Sequence, residues 1–277
     1  MTAGRARALW VVLETLHDVT YFAPQARAAH EAAGLRGFWR GYVGTRAAPL
    51  GAAGLGAVTA VFYNFAPSFL ARSVPAIWET VPPEQALAAR SAGAVAALRE
   101  QVGEVPAEAL AVLRRVVEAV DWAGRPLGAA NAALPWPDEP LAALWQAATT
   151  LREHRGDGHV AVLAAEGIDG LEAHALRDAA DGSRSVVAPN RGWTDAEWTA
   201  ARERLRARGL IGPDGLTSRG ADLRTHIEQR TDELAAAPYA AASEEELAAL
   251  DALLRPVARG LVPAPVPHPN PVGAPTP

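Results

Sequence analysis

Nine consecutive residues, Leu151-Arg152-Glu153-His154-Arg155-Gly156-Asp157-Gly158-His159, hold two Arg, two acids, two His and two Gly. Their chemistry is clear even before a fold is known. Guanidiniums grip carboxylates and phosphates at two points, and an imidazole moves protons near neutral pH when a carboxylate orients it. On a helix Arg152 and Arg155 share a face, as do Glu153 and Asp157. Two readings stand side by side. In one, the stretch floors a polar pocket, with Arg152 and Arg155 on an anion and His154, His159, Glu153 and Asp157 moving protons. In the other it is a buried ion-pair network tying two helices together, with Arg152 or Arg155 paired to Asp157.

Other candidates for a pocket wall lie upstream. Arg46 sits in a run from Gly34 to Gly51 where small residues alternate with aromatics. That pattern suits either a cavity with an anion contact or a close helix junction. Asn64 falls inside Phe62-Tyr63-Asn64-Phe65. It is expected to cap a helix starting near Pro67, or else to face a pocket. His17 and Tyr21 are four apart on an apolar helical face. A lone His in such a place is more often a core residue than a ligand contact. Trp136 belongs to the stiff segment Leu134-Pro135-Trp136-Pro137.

Composition removes several chemistries. The 277 residues include no Cys, which excludes disulfides, thiolate metal sites and Cys nucleophiles. All 26 basic residues are Arg, so Schiff-base catalysis and a phosphate-loop Lys are excluded too. A GC-rich coding bias accounts for the missing Lys. His154, His159, His174 and one carboxylate match no zinc spacing, so no metal is expected. Haem ligation by one of these His, in a pocket lined by Trp and Phe, is a weaker reading still. No Ser-centred elbow, Gly-rich nucleotide loop or EF-hand pattern is present, and the cofactor stays unknown. The apolar run Leu50–Phe62 is too short to cross a bilayer, and Glu14 interrupts the apolar start. The reading is a cytoplasmic protein without membrane partners, with a homodimer as an option.

The elements that position these groups are helices. Ala and Leu dominate, strand formers are sparse, and apolar residues recur at helical spacing, as at Leu9, Val12, Leu13 and Leu16. Pro24 opens a second helix that Gly34 closes. Pro126, Pro135, Pro137 and Pro140 break the chain, which suggests a helical portion over 1–135. A helix from Leu141 is expected to stop near His154, because Gly156 and Gly158 disfavour continuation. An irregular turn and a new helix from Val160 would follow. The helix ending Arg204-Leu205-Arg206-Ala207-Arg208, the turn Gly212-Pro213-Asp214-Gly215 and a helix from Ser218 give a winged-helix pattern over 136–240. A last helix covers 241–261, and the Pro-rich segment 262–277 reads as an extended, disordered tail.

That second half is similar to regulators of the MarR type. Over roughly residues 8–260 the chain resembles a family of actinobacterial helix-turn-helix proteins to which no common function is attached. The resemblance rests on His17 with Tyr21-Phe22, Arg46-Ala47-Ala48-Pro49-Leu50-Gly51, Phe62-Tyr63-Asn64-Phe65 and Gly124-Arg125-Pro126-Leu127. Leu134-Pro135-Trp136-Pro137, 151–159, Arg191-Gly192-Trp193 and Thr231-Asp232 continue it. It implies a mainly α fold, with a multi-helical N-terminal portion packed on a C-terminal winged-helix portion carrying one small β-hairpin. It implies nothing about the reaction.

The charge disfavours DNA as a partner. Across 191–240 eight Arg face eight acids: Asp195, Glu197, Glu203, Asp214, Asp222, Glu228, Asp232 and Glu233. Phosphate neutralisation needs a basic excess. The candidate recognition helix opens Thr194-Asp195-Ala196-Glu197, and the wing tip holds Asp214. The expected function is binding of a small molecule in a pocket around 152–159, extending to a cofactor-light enzyme. The alternative is a ligand-responsive DNA-binding regulator.

Overall fold

The computed structural model describes residues 3–273 and 275–277. Its helices in chain order are α1 (Ala3–Phe22), α2 (Pro24–Ala32), α3 (Phe38–Ala47), α4 (Leu55–Val61) and α5 (Pro67–Leu70). Next come α6 (Ile77–Thr80), α7 (Pro83–Arg99), α8 (Ala107–Glu118), α9 (Pro126–Ala132) and α10 (Pro140–Ala165). The chain continues with α11 (Gly170–Asp181), α12 (Arg184–Val187) and α13 (Asp195–Ala207). The hairpin β1 (Ile211–Gly212) and β2 (Gly215–Leu216), then α14 (Ser218–Ala236) and α15 (Glu244–Gly260), follow. The fold is mainly α, and β1 pairs antiparallel with β2 through Ile211 opposite Leu216. No helix among the described residues is long and apolar enough to cross a membrane.

Local sequence sets the helix starts. Pro24, Pro67, Pro83, Pro126 and Pro140 stand in first turns, where a missing N–H costs nothing. Asp169, Thr194 and Ser243 close capping boxes with Glu172, Glu197 and Glu246 at α11, α13 and α15. Thr217 caps α14 by accepting from the Gly220 N–H.

Burial then gathers the helices into three apolar clusters. Leu9, Leu13 and Leu16 of α1 pack with Leu144, Trp145 and Leu151 of α10, Leu98 of α7, Leu113 of α8 and Leu254 of α15. This cluster runs straight through the boundary expected at residue 135. An aromatic cluster holds Tyr42, Phe62, Phe65 and Phe69 with Leu70 and Ile77. The third joins Leu163, Leu171, Leu176, Trp198, Leu205 and Ile227 under the hairpin. Close approach depends on glycine: a Cβ on Gly93 of α7 would lie 2.6 Å from the Ala26 Cα of α2.

Two expectations fail. First, α10 is a single 26-residue helix that runs through 155–159 without a turn. Gly156 and Gly158 cost about 1 kcal/mol each against Ala, and tertiary packing along the helix outweighs that. Gly158 leaves the space in which the Arg125 guanidinium lies, its Nη1 donating to the His154 carbonyl at 3.1 Å. Second, the segment 262–277, expected to be an extended, disordered tail, packs on the fold at several points. Val266 and Asn270 are buried, and the Pro271 carbonyl accepts from Arg191 Nη2 at 2.5 Å. Pro-rich composition signals missing regular structure. It does not prevent a chain that lacks helix from packing on the surface.

Candidate functional site

The continuous α10 decides which residues of the charged stretch act together. Arg152, Arg155, Gly156, His159, Val160 and Leu163 recur at intervals of three and four, so they form one stripe. That stripe faces a cavity of about 460 Å³, a size that suits a small-molecule ligand. α1 adds Arg7, Trp10 and Glu14, and α3 adds Tyr42 and Arg46. The 62–65 segment contributes all four of its side chains. His174, Arg177 and Asp181 of α11, Arg191, and Arg224 with Glu228 of α14 complete the lining. The tail closes one side with Pro271, Val272, Gly273 and Pro275.

Hydrogen bonds fix the 62–66 segment to the second half of the chain. The Trp193 indole donates to the Asn64 carbonyl at 3.0 Å, and the Tyr63 hydroxyl donates to the Ile168 carbonyl at 2.6 Å. The Ala66 N–H donates to the Arg191 carbonyl at 2.9 Å. Asn64 does not cap α5; the residue at that cap is Ala66, with no side-chain bond. Asn64 lines the cavity instead.

Two ion-pair networks hold the cationic wall. In the first, Arg46 meets Glu153 at 2.9 and 3.1 Å, while Arg152 donates to Glu153 and to Glu14, both at 2.8 Å. Burial works to raise the Glu153 carboxyl, but Arg152 and Arg46 outweigh it and hold it well below the usual carboxylate range. In the second, Arg155 Nη2 reaches Asp232 at 3.0 Å and Glu228 at 3.4 Å, and Arg7 bridges the same two acids at 2.6 Å each. Neither Arg152 nor Arg155 pairs with Asp157. Three guanidiniums also stack on rings at the wall: Arg46 over Phe62 at 4.6 Å, Arg191 over Phe65 at 4.5 Å and Arg155 over Trp10 at 3.9 Å.

Arg191 stands apart. It is 7 % exposed, and its hydrogen bonds go to the carbonyls of Asn190 and Pro271. No carboxylate pairs with it among the described residues, and its Nε has no partner. Burial lowers its pKa to about 10, which leaves it charged at neutral pH. Arg90 is similarly buried, on the Thr45 carbonyl and Asn131 Oδ1, but lies away from the cavity. The fold therefore tolerates a guanidinium on neutral acceptors; Arg191 differs in facing open volume.

The other expected site residues divide sharply. Arg46, Asn64, Arg152, Arg155 and His159 line the cavity. Glu153 stands behind it, holding two of the arginines. His17 is a core residue, bonded to Thr149 Oγ1 at 2.9 Å and to the Tyr21 hydroxyl at 3.0 Å. Burial drives the His17 pKa well down and the Tyr21 pKa well up. Trp136 packs against the first cluster beneath Arg114. His154 and Asp157 are not in the cavity lining and meet residues of 122–128 instead. His154 meets the Trp122 ring edge-on, and Asp157 accepts from the Gly128 N–H at 2.8 Å. Burial lowers His154 to about 4 and raises Asp157 to about 7. His159 bonds to Thr231 Oγ1 at 3.0 Å, not to Glu153 or Asp157, and burial lowers its pKa.

Sequence reasoning missed Arg7, Trp10, Glu14, Arg177, Arg191 and Arg224. Only the first three carried a signal: their spacing of three and four puts a polar stripe on an otherwise apolar α1. Arg191 comes from a loop, where no periodicity marks it.

On the outer face, the basic residues of α13 are engaged with the protein's own acids. Arg204 binds Glu172 at 2.7 Å and Asp169 at 2.6 Å, Arg202 binds Asp178 at 3.0 Å, and Arg206 binds Glu203. Arg208 donates to the carbonyls of Glu166 and Gly167. Asp195, Glu197 and Glu203 are exposed along the same helix.

No curated protein and no solved structure matches the chain. Residues 6–267 do match one family model, which takes in the α11–α13 unit, the hairpin and nearly all the helices around the cavity. The chain thus belongs to a helix-turn-helix family.

Proposed function

We propose that the protein binds an anionic small molecule in the cavity between the helical portion and the winged-helix-like portion. One observation carries this reading. Seven arginines (Arg7, Arg46, Arg152, Arg155, Arg177, Arg191 and Arg224) line one cavity beside aromatic rings. Guanidiniums held flat on rings and by carboxylates keep their geometry without a ligand, so little ordering entropy is lost on binding. Of the four groups expected to move protons, His159 alone faces this space. It is the member of that set able to exchange a proton with a bound molecule.

The test is a thermal-shift series on the full chain with carboxylates, phosphate esters and their neutral analogues. A native mass spectrum of the protein as purified accompanies it. Anions should raise the melting temperature in a concentration-dependent way, and the neutral analogues should not. A clean apo mass with no anion giving a shift would sink the reading.

Family membership favours a second reading, a ligand-responsive regulator that binds DNA. The paired arginines of α13 count against a strong phosphate contact. A gel shift on the neighbouring promoter separates the two. A regulator would give a discrete complex whose affinity falls steeply with salt.

A further inference from the structure

We propose that the ligand of this cavity is a dianion on a flat apolar body, either an aromatic phosphate monoester or an aromatic dicarboxylate. The inference rests on the anion-binding reading above and adds the charge and shape of the ligand.

The charge follows from the partners of the seven wall arginines. Glu14 and Glu153 hold Arg46 and Arg152. Glu228 and Asp232 hold Arg7 and Arg155, and Asp181 holds Arg177. Five carboxylates set against seven guanidiniums leave two positive charges. The two cations without a carboxylate partner among the described residues are Arg191 and Arg224. Other groups nearby do not change the sum. Asp18 and Asp157 lie outside the cavity lining: burial raises the Asp18 carboxyl well above its usual range, and Asp157 is turned to the Gly128 N–H of α9. Burial lowers the pKa of the wall imidazoles His159 and His174, which keeps them neutral.

A pair of guanidiniums without carboxylate partners in one cavity, one of them buried, favours an anion there. Bulk chloride would meet it poorly, since a guanidinium fork matches planar or tetrahedral oxyanions at two points. Both free cations come from the second half of the chain, Arg191 ahead of α13 and Arg224 within α14. The anionic end of the ligand therefore sits toward the winged-helix-like portion. Phe62, Tyr63, Phe65 and Tyr42 line the same cavity, with Phe65 directly against the Arg191 guanidinium at 4.5 Å, so a flat apolar body would rest on these rings beside the free cation.

Calorimetric titration of the full chain at low salt and about pH 8, where a phosphate monoester carries its second charge, tests this with four probes of similar size. These are benzyl alcohol, benzoate, isophthalate and phenyl phosphate. The dianions should bind about tenfold or more tighter than benzoate, and benzyl alcohol should give no saturable heat. Phenyl phosphate ahead of isophthalate assigns a phosphate ester; the reverse order assigns a dicarboxylate. R191Q and R224Q should each erase most of the dianion preference. Arg224 is half-buried and has no hydrogen-bond or ion-pair partner among the described residues, so R224Q gives a folded variant even if R191Q does not. Benzoate binding as tightly as the dianions, or R224Q keeping the full preference, overturns the proposal while leaving anion binding intact. If none of the three anions binds, the anion-binding reading fails and the proposal falls with it.

Discussion

Arg46 and Glu153, 107 residues apart, meet at two points, with Nε on Oε1 at 2.9 Å and Nη2 on Oε2 at 3.1 Å. The pair fastens α3 to the middle of α10. Arg152 shares the same carboxylate, so one buried anion orders two of the cations at the cavity wall. Glu153→Ala strands the Arg46 guanidinium, while Arg152 keeps Glu14 at 2.8 Å, and should cost about 3 kcal/mol of stability. Glu153→Gln keeps an acceptor and should cost less. Urea unfolding of the two variants checks the order. A loss under about 1 kcal/mol for the Ala variant would mean that water replaces the carboxylate and that the network does not hold the site.

Only part of this site could be read in the sequence. Helix starts were legible because a Pro in the first turn or a Ser, Thr or Asp cap acts locally, and the hairpin was legible because Gly212-Pro213-Asp214-Gly215 specifies its own turn. The charged stretch was legible as chemistry but not as geometry. Whether Gly156 and Gly158 end a helix depends on Arg125 and Gly128, partners about thirty residues away that no local rule weighs. The same holds for His17, whose role as a core residue depends on Thr149 across the bundle. Arg191 and the tail met through a main-chain carbonyl, a contact that leaves no mark in side-chain pattern.

The two glycines of α10 give a direct test of its continuity. A Cβ on Gly156 would meet only Glu153 Oε2, at 3.7 Å, whereas one on Gly158 would lie 2.1 Å from Arg125 Nη1. Gly156→Ala should therefore stabilise by up to about 1 kcal/mol through helix propensity. Gly158→Ala should destabilise by about 1 kcal/mol, since it displaces Arg125 from the His154 carbonyl and loses that bond. Melting temperatures ranked Gly156→Ala above the parent and the parent above Gly158→Ala support one unbroken helix. Losses at both positions would point to a turn at 155–159.

Asp157 and the buried histidines pull the pH dependence of stability in opposite directions. Burial raises Asp157 to about 7, so between its unfolded pKa near 3.8 and about 7 the folded state binds the extra proton. Its contribution is present at low pH and is lost as pH rises through about 7. Burial lowers His154 and His30 to about 4 and His174 to about 3. Their contribution is present above about 6.5 and is lost as pH falls toward 4. The parent curve mixes the two, but the difference between the parent and Asp157→Asn isolates the acid, because the amide oxygen still accepts from Gly128. The stability advantage of the parent over Asp157→Asn should shrink steadily from pH 4 to pH 7. A difference that does not change with pH would show that Asp157 is ionised throughout.

The tail covers one side of the cavity, and its removal should be felt in rates. Pro271 supplies the carbonyl on Arg191 Nη2, and Pro271, Val272, Gly273 and Pro275 form part of the wall. A chain ended after Asn270 keeps the buried Val266 and removes this cover, together with the Val272 and Gly273 N–H donors to Asn270 Oδ1 and the Pro277 carbonyl on Arg259. Opening the wall lets water reach Arg191 and raises the local dielectric, which weakens every charge contact made there. An anion should then leave about tenfold faster or more, and its affinity should fall despite easier entry. Stopped-flow displacement of phenyl phosphate from the two chains measures this. Slower release from the shortened chain would show instead that the Pro271 carbonyl competes with the ligand for Arg191.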